Sequence, residues 1–378
     1  MIIKLVSFAK QRGLGIIESI NDVTQWYEIA RHFDVFETEE EEDLPEDDII
    51  AQAIAVLKAS NNQKDVIDFD DMVYLPVLLK MNFFRFDNVM VDEAQDTNPA
   101  RRALVRALVK KGGRVVAVGD RHQAIFGFTG ADSDSLDLIA EDFNCIRLPL
   151  TTTYRCPKNV VAFAQRWVSH IKSAETSPEG LVSSTTTLEF LKRNDLNGTA
   201  AVLCRNTKPL IALALRLIRN KIACKVEGRD VGEGLKKLAR RWKIQTTVAL
   251  REKLELYLER ETTKLLAKKQ ESKLQIIEDT VETLYVIIDA CASEGKNSIV
   301  DVVAYIDMLF ADDVKGILVL STIHKSKGRE WETVFWLDRA GTCPSKYARQ
   351  EWQKEQEANL CYVAATRAKS HLVELAIA

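Results

Sequence analysis

The residues best suited to chemistry stand at the end of an apolar run, where Asn88-Val89-Met90-Val91 leads straight into Asp92-Glu93-Ala94-Gln95-Asp96. Adjacent carboxylates repel, so a buried β-strand that ends in two of them needs a reason. The carboxyl edge of a parallel sheet supplies one, because ligands of α/β sheets bind in the crevice there and a divalent cation keeps both acids ionised. The alternative is a strand followed by a solvated acidic turn. A second apolar run, Val115 to Val118, opens into the glycine-spaced segment from Gly119 to Ala131, which brings the amide of Gln123 and the rings of Phe126 and Phe128 to the same edge. Alone, that segment also fits a glycine turn with two core phenylalanines. Arg155 lies just ahead of a helix start marked by Pro157 and is either a phosphate ligand or a surface arginine. After a further apolar strand, Ile317 to Leu320, come Thr322, His324, Lys327 and Gly328, groups suited to phosphate or a nucleic-acid backbone, with general base as the other role for His324.

The elements that must hold these groups follow from periodicity. Residues 1–85 are expected to be mostly helical, with Trp26, Ile29, Ala30 and Phe33, and then Ile50, Ile54 and Leu57, at helical spacing. The acidic residues 37–48 between them are expected to form a loop, since like charges repel and cannot join a core. Asp68-Phe69-Asp70-Asp71 reads as a capped helix start in preference to a metal cluster. A helix over residues 99–111 is expected to end at Gly112-Gly113, and residues 137–143 to form a short helix. Residues 145–148 are expected to form an edge or linking strand, and 159–170 a helix. Strands and helices alternate over residues 179–228, residues 229–311 are helical and charged, and the alternation resumes at Gly316. A final helix over residues 357–369 is expected to carry Arg367. The basic clusters Lys236, Lys237, Arg240, Arg241 and Lys243, with Trp242 among them, and Lys264, Lys268 and Lys269 are expected to be solvated helix faces sooner than nucleic-acid contacts.

Taken together, Val-Asp-Glu-Ala-Gln-Asp-Thr-Asn (91–98), the loop at 119–131, Tyr-Arg-Cys-Pro (154–157), Thr-Ile-His-Lys-Ser-Lys-Gly-Arg-Glu (322–330) and the segment around Arg367 resemble the motifs of UvrD/Rep-like superfamily 1 helicases. The resemblance covers most of residues 65–378 and, weakly, the start. It implies two RecA-like P-loop NTPase lobes of α/β class, the first incomplete, with a small inserted helical subdomain. Residues 1–85 would be a helical remnant of the first lobe's insertion, 86–150 the second part of that lobe, 151–228 and 312–378 the second lobe, and 229–311 the insertion. It implies ATP and Mg²⁺ as cofactors and single-stranded DNA as partner. Asp92 would hold the metal, Glu93 would polarise the attacking water and Gln123 would sense the γ-phosphate. Tyr154 would stack on adenine, Glu330 would meet the ribose near Gly328, and Arg155 and Arg367 would neutralise developing charge, Arg367 as an arginine finger whose reach makes lobe closure a gate. Phe126, Phe128, Thr322, His324 and Lys327 would contact DNA. Relatives often carry Trp-Arg where Phe128-Thr129 stands, so an arginine contact at that point is not expected.

The phosphate-cradling pattern Gly-x-x-x-x-Gly-Lys-Ser/Thr does not occur in the 378 residues. Three functions fit: the C-terminal portion of an ATP-dependent single-stranded-DNA translocase or 3′→5′ helicase, either a gene fragment or one half of a split enzyme, a non-enzymatic DNA-binding or interaction protein derived from one, and a helicase-nuclease subunit, for which little chain follows Arg367. Composition is compatible with the first two. The chain is 46% hydrophobic and 28% charged, as soluble globular proteins are, and no run approaches the ~20 apolar residues of a membrane span, which makes the cytoplasm the default. The net charge of −3 is dominated by nine acids within residues 37–48, so the remainder sums to +6. A mildly basic body suits single strands held by stacking as well as by charge. The seven scattered cysteines include no Cys-x-x-Cys pair and read as reduced, not as zinc ligands.

Overall fold

Apolar residues at helical spacing bring the first four helices onto one core. In a computed structural model, which describes residues 1–33, 35–36, 45–63, 65–126, 134–267, 271–310, 317–348 and 350–377, the chain divides into two compact units, Met1–Leu148 and Pro149–Ala378. The first unit opens with α1 (Ile2–Arg12), α2 (Val23–His32), α3 (Glu46–Asn62) and α4 (Asp71–Leu78). Leu5, Phe8, Trp26, Ile29, Ile50, Leu57 and Tyr74 are buried together, as the periodicity of residues 1–85 requires. The expected acidic loop does not extend to residue 48. Residues 37–44 lie outside the described part, and Glu46, Asp47 and Asp48 form the first turn of α3, where acids favour the helix dipole.

The start of α4 is fixed by reciprocal bonds. The Asp68 carboxylate accepts from the Asp71 amide at 2.8 Å and the Asp71 carboxylate from the Asp68 amide at 3.1 Å. Lys10 of α1, only 1% exposed, lies between them at 2.8 Å from Asp68 and 2.7 Å from Asp71. An ammonium ion, not a metal, therefore answers this acidic cluster.

Beyond it run β1 (Phe86–Val91), α5 (Pro99–Leu108), β2 (Val109–Ala117) and α6 (Ser135–Asp142). β1 and β2 are parallel, with Met90 opposite Val116 and Val91 opposite Ala117. The helix expected over residues 99–111 stops earlier, at Leu108. Val109 already pairs with Phe86, and the irregularity containing Gly112 and Gly113 lies inside the strand instead of ending the helix. The expectation that β1 is buried also fails. Met90 is 80% exposed and Val116 and Val118 are open, because these two strands form a sheet of their own among the described residues, while Val89 and Val91 are half-buried on the opposite side. Residues 145–148 form no strand; Ile146 and Leu148 are exposed.

In the second unit, β3 (Thr152–Thr153) pairs with β4 (Lys172–Ser173) on either side of α7 (Lys158–Ala164). This helix is capped by Pro157 and ends well short of residue 170. Then follow β5 (Leu181–Thr186), α8 (Thr187–Phe190), β6 (Ala200–Cys204), α9 (Thr207–Arg219) and β7 (Cys224–Val226). The helical stretch over residues 229–311 is α10 (Arg229–Arg240), α11 (Thr247–Ala267), α12 (Glu271–Ser293) and α13 (Ile299–Leu309). The unit closes with β8 (Leu318–Thr322), β9 (Trp331–Leu337), α14 (Arg339–Thr342), α15 (Glu351–Ala365) and β10 (Ala368–Ala376). Six of these strands form one parallel sheet in the order β5-β10-β9-β6-β8-β7. Central β6 is buried at all five positions, the continuous apolar run that a parallel strand covered on both faces demands. Among the described residues no helix is long and apolar enough to cross a membrane.

Candidate functional site

In the first unit the parallel pairing of β1 and β2 puts the segments that follow them side by side. Asp92 and Glu93 are both exposed just past β1, and Asp92 accepts from the Glu93 amide at 2.9 Å. Glu93 adopts a left-handed backbone, φ 48°, which turns the chain into the one-turn 3-10 helix Ala94–Asp96. The Ala94 amide donates to the Val118 carbonyl at 2.9 Å and the Val118 amide to the Val91 carbonyl at 2.8 Å, so the two strand ends are laced together. Asp120 then accepts from the His122 amide and from Gln123 Nε2, each at 2.9 Å. Asp92, Glu93 and Gln123 are thus gathered at one sheet edge, as the sequence predicts. Phe126 is half-buried beside it, and Phe128 lies outside the described residues.

Two exposed hard-oxygen donors fit Mg²⁺, which typically takes one or two carboxylates and completes its shell with water and phosphate. Among the described residues no cluster of three or more His, Cys, Asp or Glu could hold a metal unaided. Two connecting residues escape a sequence reading. Gln95 is buried and donates to Glu93 at 2.5 Å while accepting from the Asp120 amide at 3.0 Å, and Gly119 is the position past which Gln95 reaches. The legible signal was a polar residue inside a short buried turn.

In the second unit the expected residues separate into two groups. At the amino ends of neighbouring β9 and β10 stand Glu330 and Arg367, joined through the Trp331 amide, which donates to the Arg367 carbonyl at 3.0 Å. Arg155 Nε lies 2.8 Å from Glu330, and Lys369 lies 3.7 Å from the same carboxylate. Arg367 is not on the final helix. α15 ends at Ala365, and the arginine follows it, 1% exposed, with its guanidinium donating to the carbonyls of Val363 and Arg329 at 3.2 Å each. Burial first, and the nearby Arg155 guanidinium second, lower its basicity. Tyr154, 83% exposed, presents a free-standing ring. Gly328 sits at φ 80°, a left-handed turn that favours glycine, on the way into β9.

Thr322 and His324 belong to the opposite, carboxyl edge, past β8. There Arg205, the residue after β6, makes a forked pair with Glu357 at 2.8 and 3.0 Å, and Glu357 also accepts from the Ser345 amide at 2.8 Å. Burial, aided by the Arg205 charge, pushes the His324 imidazolium down to about 3, so this ring is neutral at physiological pH. Lys327 is half-buried in the turn that leaves this edge. Arg205 and Glu357 also escaped the sequence reading, although an arginine directly after a five-residue apolar strand is a visible mark. Of the basic clusters, Lys236 is held by Glu233 and Asp307 at 2.7 Å each and Arg241 lies over Trp242 and Tyr257, while Lys268 and Lys269 are outside the described residues. All seven cysteines are free thiols.

Both units are of α/β class with parallel sheets, the architecture of RecA-like helicase domains. Residues 4–144 match the family described as the UvrD/REP helicase N-terminal domain, and residues 235–376 the UvrD-like helicase C-terminal domain. The chain belongs to the UvrD/Rep-like family of superfamily 1 helicases. It is 32% identical over 129 residues, 32% of this chain, to the ATP-dependent DNA helicase PcrA of Staphylococcus epidermidis and 33% identical over 129 residues, 31% of this chain, to the ATP-dependent DNA helicase Rep of Escherichia coli. With DNA helicase II of Haemophilus influenzae it shares 32% identity over 95 residues, 25% of this chain. The matched stretches span 17%, 19% and 13% of those three proteins.

Proposed function

We propose that this chain supplies the water-activating and DNA-facing parts of an ATP-dependent single-stranded-DNA translocase or 3′→5′ helicase, completed by further sequence, on the same polypeptide or on a split partner, that brings the phosphate-cradling loop. The observation that carries this reading is the grouping of Asp92, Glu93 and Gln123 at one sheet edge, tied through Gln95 and Asp120. ATP with Mg²⁺ would supply the electrophilic phosphate when bound. Asp92 is the metal-side carboxylate, and Glu93 orients and deprotonates water. Gln123 relates that event to the aromatic loop, where Phe126 and Phe128 stack on bases. In the second unit Tyr154, Arg155, Glu330 and Arg367 form the nucleotide-facing group near Gly328, and Thr322, His324 and Lys327 the DNA-facing one. Residues 86–150 act as the second part of the first lobe, 151–228 with 312–378 as the second lobe, and 229–311 as its insertion.

The need for completing sequence is supported by the open face of β1 and β2. Parallel sheets are ordinarily covered on both faces, and a two-stranded sheet rarely stands alone. Met90, Val116 and Val118 are exposed on this one. The test is ATP hydrolysis with single-stranded DNA, measured for the chain alone and with the product of the neighbouring upstream reading frame. DNA-stimulated turnover is expected only in the mixture. Robust turnover by the chain alone contradicts the need for a partner, and DNA binding without turnover in either case identifies a DNA-binding protein that does not hydrolyse ATP.

A further inference from the structure

We propose that Gln95 is a positioning residue that holds Glu93 and the segment from Gly119 to Gln123 as one mechanical unit; the catalytic part of this inference rests on the role given to Glu93 above. The side chain is 1% exposed and uses both ends of its amide in opposite senses. Its Nε2 donates to Glu93 Oε2 at 2.5 Å, and its Oε1 accepts from the Asp120 amide at 3.0 Å. The partners fix the orientation of the amide, since a carboxylate needs a donor and a backbone N–H an acceptor. No other side chain of this shape satisfies both. Glutamate accepts from Asp120 but presents like charge to Glu93, and methionine does neither.

The link continues from Gln95 through Asp120. Asp120, whose amide is held by Gln95, takes Gln123 Nε2 on its carboxylate at 2.9 Å, giving an unbroken path Glu93–Gln95–Asp120–Gln123. Its course is cleared by Gly119, where a Cβ would stand 2.4 Å from Gln95 Oε1 and 3.0 Å from the Ala94 amide nitrogen. That is below any contact a real Cβ makes, so a side chain at this position displaces Gln95. The amide thus restrains the rotamer of Glu93 and sets its distance from Gln123 without touching substrate.

Hydrogen exchange of the Asp120 amide in the full chain tests the link without requiring turnover. Gln95→Met, similar in shape, is expected to speed that exchange roughly tenfold, the worth of one buried hydrogen bond, and to lower the urea midpoint by no more than the loss of that one bond. Gln95→Glu is expected to keep Asp120 protected while breaking the bond to Glu93. In the completed assembly both variants are expected to lower kcat at least tenfold with the KM for ATP within twofold. Unchanged Asp120 exchange in folded Gln95→Met overturns the link. If Gln95→Met does not fold, unaltered kcat in Gln95→Glu overturns the positioning role. Accelerated exchange together with turnover indifferent to Glu93→Gln refutes the catalytic assignment of Glu93 and leaves the mechanical link standing.

Discussion

Arg155 and Glu330 form an ion pair at 2.8 Å, the guanidinium of a residue ahead of α7 meeting the carboxylate ahead of β9. Both side chains are about two-fifths exposed, at 43% and 41%, so the pair orients more than it stabilises. Exposed pairs are worth about 0–1 kcal/mol. Glu330→Gln is therefore expected to leave the urea midpoint nearly unchanged while altering the affinity for ATP in the completed assembly. A stability loss above about 2 kcal/mol would show that the pair holds the fold instead.

Lys10 behaves oppositely. It is buried against Asp71, itself 4% exposed, and removing one member of such a pair strands the other charge. Lys10→Met is expected to cost about 3–5 kcal/mol in chemical denaturation of the first unit, with Lys10→Met/Asp71→Leu recovering part of it. A single-variant loss below about 1 kcal/mol would contradict the pairing.

His324 links stability to pH. Its pKa falls to about 3 in the folded chain from 6.5, so the unfolded chain binds the extra proton, and the stability contributed above pH 6.5 is lost as pH falls toward 3. Between pH 7 and pH 5 the protein is expected to lose about 2 kcal/mol more than His324→Asn does. Parallel urea midpoints for the two across that window would remove the assignment. A general-base role for this ring is correspondingly disfavoured.

The aromatic loop gives a binding prediction. Stacking contributes about 1–3 kcal/mol per base, so Phe126→Ala and Phe128→Ala are each expected to weaken single-stranded-DNA binding by that amount at fixed salt. Fluorescence anisotropy with a labelled oligonucleotide reads it directly, and unchanged affinity in both variants would exclude base stacking by this loop.

What the sequence disclosed was local chemistry and what it concealed was tertiary context. Glu93 and Gln123 were legible because strand, acid and glycine-spaced loop follow one another along the chain. Periodicity likewise reported the helices that bury Trp26 and Leu57. The exposure of Met90 is not legible because an apolar run says what a strand prefers to bury, not what is present to cover it. Arg367 was placed on a helix because Ala364 and Ala365 continue a helical pattern that in fact ends before the arginine turns into β10. The role of Gln95 is not legible in the sequence because it lies in a contact with Asp120, 25 residues away.

The measurement that bears most directly on the account is DNA-stimulated ATP turnover of the completed assembly with Glu93→Gln. The substitution removes the acceptor for a water proton and keeps the shape, so turnover is expected to fall by about 10²–10⁴, the usual worth of a general base, with single-stranded-DNA affinity within twofold. Turnover retained within tenfold would contradict the assignment of Glu93 as the water-activating carboxylate and with it the reading of this sheet edge as the motor's hydrolytic centre.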